Sequence, residues 1–475
     1  MKPQAPAPAP SPASSPASAS ASTSTPTRRQ FLATAAASLA TGAAIASRGA
    51  TAVTNDPITA VAGTPVSTDP DRLALLGGSK AVKQPAKQGP RWGIPERERL
   101  DALTRQDTLF YWKGPQTTRF VDKFREICPL KHIMPCSSGT AALHIAVAAA
   151  GIGPGDEVIT SPVTDIGTVV GTIYQQGVPV FADLQPGTYN LDPADVERRI
   201  TSRTRALIAV HLCGNPCDLE ALKHIADRHR LLLIEDCAQA WGARHRGRPI
   251  GTIGHLACWS LQNSKHVTCG DGGIVGSNDA RFGPLLQRFG DKGFDRIKGG
   301  LFEAFAPNYR MTEAQAAIAG AQLERLEAIV DRRSKLGNLL TTKITGLPGI
   351  LPHEVHPEDR CSYWFYFLRI QPAALRCTRA DFVKALVAEG VDAGAGYIPV
   401  PLHRNPVFLN HGFFAGRWPV KEMGLTTMDY SRHQTPEAEA ILTTSVRVTL
   451  HEGMTDEHIL AVAEGLRKVA RHYRA

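Results

Sequence analysis

The chain has no Lys/Arg run, although its formal net charge is +9. Three of the positives, Lys2, Arg28 and Arg29, lie in an N-terminal stretch without an acidic residue, and the rest are interspersed with acids. Charge spread in this way argues against a nucleic-acid partner. The nine cysteines fall at irregular intervals and make no disulfide framework. Cys213 and Cys217 form a spaced pair, but no second pair or His cluster completes a zinc site, so no metal is expected and the thiols read as small buried hydrophobes. The longest mildly apolar run near the N-terminus is too short and too weak for a stable membrane-spanning helix. No internal repeat is visible. What remains is ordinary soluble composition, 43% hydrophobic and 20% charged, over 475 residues, enough for two or three domains with cores of their own.

Residues 1–27 are almost wholly Pro, Ala, Ser and Thr and cannot build a core. Thr27-Arg28-Arg29-Gln30-Phe31-Leu32 follows, then an Ala-rich run ending in Ala44-Ile45-Ala46. Twin arginines, a short apolar stretch and an A-x-A end read as a twin-arginine export signal over 1–46. The protein is then periplasmic or extracellular. The long stretch before the arginines and the odd cysteine count point the other way, to a disordered tail on a cytoplasmic protein. Residues 47–70 read as a Thr/Pro/Gly linker.

From Leu73 the chain is folded in character. Strand-like runs at Glu157–Thr160, Val178–Ala182, Ala206–Val210, Leu231–Glu235 and Ala257–Leu261 alternate with helical patterns near 140–150, 166–176 and 218–229. Such alternation predicts a mostly parallel sheet covered on both faces, with ligands at the carboxyl ends of its strands. A helix from about Thr312 to Lys335 is expected to lead out of this region. Strands at Tyr363–Ile370 and Val446–Leu450, with helices at 379–390 and 455–472, suit a smaller α+β domain. The expected division is 71–330 for the large domain with its N-terminal arm, and 331–475 for the small one.

Chemistry concentrates at three places. Ile234-Glu235-Asp236-Cys237-Ala238-Gln239-Ala240 puts a carboxylate at the end of the most apolar run. Ser260-Leu261-Gln262-Asn263-Ser264-Lys265-His266 precedes Gly270-Asp271-Gly272-Gly273. Upstream, Ser137-Ser138-Gly139-Thr140-Ala141-Ala142 opens a helix whose free N–H groups and positive dipole end suit a phosphate dianion. A strand-end Asp, a Ser and a Lys in this order are the parts needed to hold pyridoxal phosphate. The Lys amine forms the Schiff base, the Asp keeps the ring nitrogen protonated, and the Ser bonds the phosphate.

These blocks resemble the DegT/DnrJ/EryC1/StrS family of sugar and cyclitol aminotransferases from roughly Leu73 to the C-terminus. Gly153-Pro154-Gly155-Asp156-Glu157-Val158, Thr188-Tyr189-Asn190-Leu191-Asp192, Asn308-Tyr309-Arg310-Met311-Thr312-Glu313 and Pro399-Val400-Pro401-Leu402-His403 also match. The resemblance implies an α/β protein of pyridoxal-phosphate transferase fold type I, similar to aspartate aminotransferase. It implies Lys265 as the Schiff-base and proton-carrying lysine and Asp236 as the ring-nitrogen partner. Gln239 then stands beside the ring, and Gly139, Thr140 and Ser260 bind the phosphate. Asn308 reaches the phosphate of a neighbouring subunit, so the active sites are shared in a homodimer. One position departs: where the family stacks an aromatic residue on the ring, this chain has Asp165, which cannot stack. Tyr363-Trp364-Phe365-Tyr366, Tyr397 and His403 are candidates to line the acceptor pocket, although aromatic strand residues are more often core.

The function expected from these residues is transfer of an amino group from an amino acid, glutamate or glutamine, to a keto-sugar or keto-cyclitol. A dehydratase branch of the family has His in place of the lysine, and Lys265 argues against it. A non-catalytic exported or regulatory binding protein is the other alternative, and the intact Lys265, Asp236, Gln239 and Ser260 weigh against that.

The leader carries its own prediction. With Arg28 and Arg29 both changed to Lys, a folded reporter fused after Ala46 is expected to stay in the cytoplasm, because an ammonium does not replace the guanidinium fork. Fractionation checks this; identical distribution with both leaders would reduce residues 1–46 to a tail.

Overall fold

The computed structural model describes Asp69 and residues 71–475 except Glu303. The leader expected over 1–46, and all of the linker expected over 47–70 except Asp69, lie outside the described residues. Seven strands form the main sheet: β1 (His132–Cys136), β2 (Glu157–Thr160), β3 (Val178–Phe181), β4 (Thr204–Val210), β5 (Leu232–Asp236), β8 (Leu256–Ser260) and β9 (Gly273–Ser277), with a small hairpin of β6 (Arg244–His245) and β7 (Arg248–Pro249) between β5 and β8. Their order is β1-β9-β8-β5-β4-β2-β3. The run β8-β5-β4-β2-β3 is parallel, and β9 is antiparallel to both β8 and β1.

Both faces are buried, and the alternation of side chains assigns residues to them. Leu207, Ala209, Leu233, Ala257 and Trp259 face one core, where Phe124 and Trp241 pack. Ala206, Ile208, Val210, Ile234, Leu256 and Cys258 face the other, under the Ala-rich helix Gly139–Ala149. Ser138 starts that helix, its hydroxyl accepting the Ala141 N–H at 3.0 Å.

A second sheet, β10 (Ile350–Pro352), β11 (Tyr366–Ile370), β12 (Ala393–Ala395) and β13 (Ser445–Val448), is antiparallel in the order β10-β11-β13-β12. Helices Arg379–Ala388 and Asp456–Tyr473 pack with it. Leu73 and Val82 of the N-terminal arm lie in this second core. The expected domain border at 330/331 falls inside the continuous helix Leu326–Ile344, whose Ile329 and Val330 belong to the first core and Leu336 and Leu340 to the second.

Two expected elements need correction. The helix expected over 312–335 is two helices, Glu313–Leu323 and Leu326–Ile344, broken where Arg325 swings out to φ −110°. Arg325 uses the break to reach Glu96 at 2.6 Å; neither Pro nor Gly marks the site. The strand expected from Tyr363 starts at Tyr366. Tyr363 has φ +46°, and residues 362–364 run along the 212–214 turn, with Ser362 N–H on Gly214 O and Trp364 N–H on Cys213 O, both at 2.9 Å. Two antiparallel-paired strands, β1 and β9, had not been anticipated. Among the described residues no helix is long and apolar enough to cross a membrane. Eight of the nine free cysteines are buried.

The end of β5 ties the sheet to its surroundings. Glu235 is fully buried and accepts N–H groups from Gly251 at 2.5 Å, Ile253 at 2.9 Å and Gly254 at 2.5 Å, with His211 Nε2 at 3.3 Å. Burial alone would raise its pKa; the His211 hydrogen bond and charge, with the Gly254 and Gly251 N–H groups, outweigh it and hold the carboxyl below its ordinary 4.5. The native state therefore binds fewer protons than the unfolded one, so this stabilisation is present above pH 4.5 and is lost as pH falls further. Glu235→Ala is expected to lower unfolding stability by about 3–5 kcal/mol at neutral pH, with the deficit shrinking in acid. Urea unfolding at both pH values tests it; a loss independent of pH would contradict the assignment.

Candidate active site

The parallel strands deliver their last residues to one rim. Asp236 ends β5 and Ser260 ends β8, each on the face that carries the helix Gly139–Ala149. Together with the loop after β2 and the turn after β8 they enclose a cavity of about 290 Å³. Gly139, Thr140, Asp165, Thr168, Asp236, Gln239, Ser260, Lys265, Trp364 and Tyr397 all line it. Six of the seven site residues read from the sequence thus converge.

One end of the cavity is built for an anion. Gly139 and Thr140 are the first two residues of their helix, so their N–H groups have no partner in its ladder. A side chain at 139 would close the space, since a Cβ there would stand 2.7 Å from the Ser260 Cβ. Gly273 presses on the same corner: a Cβ would stand 2.2 Å from Ser138 O. The free N–H groups, the helix dipole and the Ser260 hydroxyl fit a phosphate.

Across the cavity, Asp236 is buried and accepts the Thr168 hydroxyl at 2.9 Å and the Ala238 N–H at 3.1 Å. Burial raises its carboxyl above the ordinary value, against the pull of those two donors and of the Lys265 and His211 charges. Facing it, Lys265 is 8% exposed and its Nζ lies 3.6 Å from the centre of the Trp364 indole. Burial lowers the amine from 10.5 to about 8, while the Asp236 and Asp165 carboxylates act in the opposite sense. A cation of a ring nitrogen at Asp236 would stabilise the carboxylate in turn. The buried Asp, the lowered Lys and the anion cradle fit a phosphorylated pyridine aldehyde.

Gln239 is held at both ends, its Oε1 accepting the Cys213 N–H at 2.9 Å and its Nε2 donating to the Tyr397 hydroxyl at 3.2 Å. Asp165 stands at the rim, exposed, with Oδ1 accepting the Gly167 N–H at 2.8 Å. It borders the cavity without covering it; the indole of Trp364 is the aromatic surface beside Lys265.

Asn308 does not line the cavity of its own chain. It is exposed, and its Oδ1 accepts Arg310 Nε at 2.8 Å. His403 is corrected outright: it is buried away from the cavity, packed on Phe181 and His433 at 5.7 and 5.2 Å. Tyr363, Phe365 and Tyr366 are core, while Trp364 and Tyr397 reach the cavity. Sequence reading missed Thr168. No local signal marks it, because the helix Gly167–Tyr174 carries a second buried threonine, Thr172; in the fold Thr168 is bonded to Thr164 at 2.7 Å as well as to Asp236.

A second group of ligand-type side chains, His211, Glu235 and Cys237, brings three atoms within 4.8 Å of one another. Both Glu235 oxygens are taken, and His211 Nδ1 accepts the Cys217 N–H at 3.0 Å, so this is a structural network.

Comparison with known proteins agrees with this geometry. The DegT/DnrJ/EryC1/StrS aminotransferase family matches residues 94–467. A putative L-glutamine:3-amino-2,3-dideoxy-scyllo-inosose aminotransferase of Micromonospora echinospora is 34% identical, over 83% of this chain and 93% of its own. GDP-perosamine synthase of Caulobacter vibrioides is 37% identical over 60% of this chain and 77% of its own. Among solved structures, S. venezuelae DesV in complex with a ketimine intermediate superposes with a TM-score of 0.69 at 30% identity, covering 79% of this chain and 94% of that one. The fold is that of the type I pyridoxal-phosphate transferases, as the sequence implied.

Proposed function

The chain belongs to the DegT/DnrJ/EryC1/StrS aminotransferase family, and from that premise we propose that it moves an amino group from an amino acid, glutamate or glutamine, to a keto-sugar or keto-cyclitol. Its cofactor is pyridoxal 5'-phosphate. The observation that carries the reading is the convergence of Lys265 and Asp236 on one cavity with a helix N-terminus at its end. The similarity to an amino-dideoxy-inosose aminotransferase and to a GDP-perosamine synthase supports the acceptor class.

Bound there, the cofactor supplies a carbonyl that an amine can attack and a ring that takes up the electrons left when the adjacent carbon loses a proton. The chain does the rest. Lys265, with its amine held at about 8, is partly unprotonated near neutral pH, which suits it to attack and then to carry a proton between donor carbon and cofactor. Asp236, steadied by Thr168, would hold a proton on the ring nitrogen. Gly139, Thr140 and Ser260 would hold the phosphate, and Gln239, fixed by Cys213 and Tyr397, would stand beside the ring. A dehydratase is disfavoured because the covalent position is Lys265, and because the adjacent His266 is buried with Nε2 engaged on Ser362 O at 3.0 Å.

The test is chemical. Borohydride is expected to fix the cofactor to the Lys265 peptide, and ¹⁵N from a labelled donor is expected in an aminated cyclitol or sugar. Lys265→Ala abolishes both while the fold persists. Uptake of cofactor by the apo-protein is expected to speed up as pH rises through about 8, because the neutral amine reacts and its share grows. A label on another lysine would overturn the assignment of Lys265, and fixation without nitrogen transfer would leave only a binding protein.

For assembly we propose a homodimer in which Asn308 serves the phosphate of the other subunit. Asn308 is free of its own cavity, and near it in sequence Ile297, Leu301 and Phe305 are 76%, 88% and 103% exposed, an apolar surface of the kind a partner covers. Sedimentation is expected to report a dimer, and Asn308→Ala to release cofactor faster. A fully active monomer refutes it. For location we propose export, supported by the Arg28-Arg29 leader and by a route that carries proteins already folded around their cofactor.

A further inference from the structure

The turn that carries Lys265 is gripped from outside by a residue that lies before the family-matched region of 94–467. Arg91 donates one guanidinium N–H to Asn263 O and another to Lys265 O. Between them, Ser264 O accepts the Trp364 indole N–H at 2.7 Å. Three successive carbonyls of the lysine turn are therefore held by side chains from distant segments, while Lys265 N–H closes the turn on Gln262 O at 2.9 Å.

Arg91 is itself anchored. Its carbonyl accepts Gln322 Nε2 at 2.7 Å and an Arg325 N–H. Gln322 and Arg325 also meet Glu96 Oε1, at 2.7 and 2.6 Å, and Glu96 Oε2 accepts the Gly93 N–H at 2.8 Å. The break at Arg325, unexplained by the local sequence, is what lets it join this group. Through Gln322, Arg91 thus connects the lysine turn to the helix Glu313–Leu323.

We propose that Arg91 is a positioning residue, which fixes the backbone of the lysine turn so that the Lys265 amine meets its reaction partners at a set place. The inference rests on Lys265 being the cofactor lysine. The Lys265 side chain is long and flexible, so placement of its amine depends on where its Cα is held. Displacement of a reacting group by about 1 Å costs on the order of 10²-fold in rate. A planar guanidinium can bridge two carbonyls; the point charge of an ammonium cannot hold both in one geometry.

The experiment compares Arg91→Ala and Arg91→Lys with the wild type, all as full-length chains. Both variants are expected to bind pyridoxal phosphate and to lose roughly 10- to 100-fold in kcat, with KM for the amino donor little changed. In the cofactor-free protein, amide hydrogen exchange in a peptide spanning 262–266 is expected to accelerate. In the loaded protein, the pH midpoint of the lysine-bound visible absorbance is expected to move. Ethylguanidinium is expected to restore part of the Arg91→Ala rate. Wild-type kcat and midpoint in either variant would overturn the proposal, and so would lower melting temperature with exchange at 262–266 and kcat unaltered, which is a purely structural role. If Arg91→Ala does not fold, Arg91→Lys carries the test alone. Failure of the underlying reading looks different: the wild type itself would show no borohydride-fixed label on Lys265.

Discussion

Adjacent side chains on a strand point to opposite faces of the sheet, and the end of β5 puts two carboxylates under that constraint. Glu235 turns toward the core that holds Trp241 and Trp259 and is consumed by three backbone N–H groups and His211. Asp236 turns the other way, toward the helix Gly139–Ala149 and the cavity. The first fixes the loop that leads into β8, and so sets where Ser260 ends that strand. The second is presented, still ionisable, to a ligand. One buried acid organises the scaffold so that its neighbour can do chemistry.

The rest of the cavity follows from close approach. The helix that opens at Gly139 can meet Ser260 and Gly273 only because neither 139 nor 273 carries a side chain. That contact brings free helix N–H groups to the same rim as Asp236. Burial then acts on Lys265: with its charge partly desolvated, the amine is held at about 8, near the pH at which a general base works best. The anion end and the amine end are set by different physics, packing in one case and desolvation in the other.

Asp165 shows how a departure in sequence is absorbed. It spends one oxygen capping the Gly167 N–H and stays at the rim. The aromatic surface beside Lys265 comes from Trp364, far along the chain, because Tyr363 at φ +46° turns the segment 362–364 against Cys213 and Gly214. That turn buries Tyr363 and sends Trp364 outward, where its ring meets Lys265 and its N–H meets Ser264.

What the sequence determined by itself is local and ordered along the chain. Alternating apolar runs set the parallel strands to within a residue or two, and the strand-end position of Asp236, the helix start at Gly139 and the turn after Ser260 were each legible from nearby residues. The family resemblance then joined them into a cofactor site. Tertiary structure decided whatever depends on residues that are remote in sequence. It paired β1 and β9 antiparallel, broke the helix at Arg325, turned Trp364 toward Lys265, removed His403 to a buried aromatic cluster, and set Thr168 behind Asp236. None of these has a local signature, because each is fixed by a hydrogen bond or contact between segments tens to hundreds of residues apart, and only the folded chain brings such partners within reach.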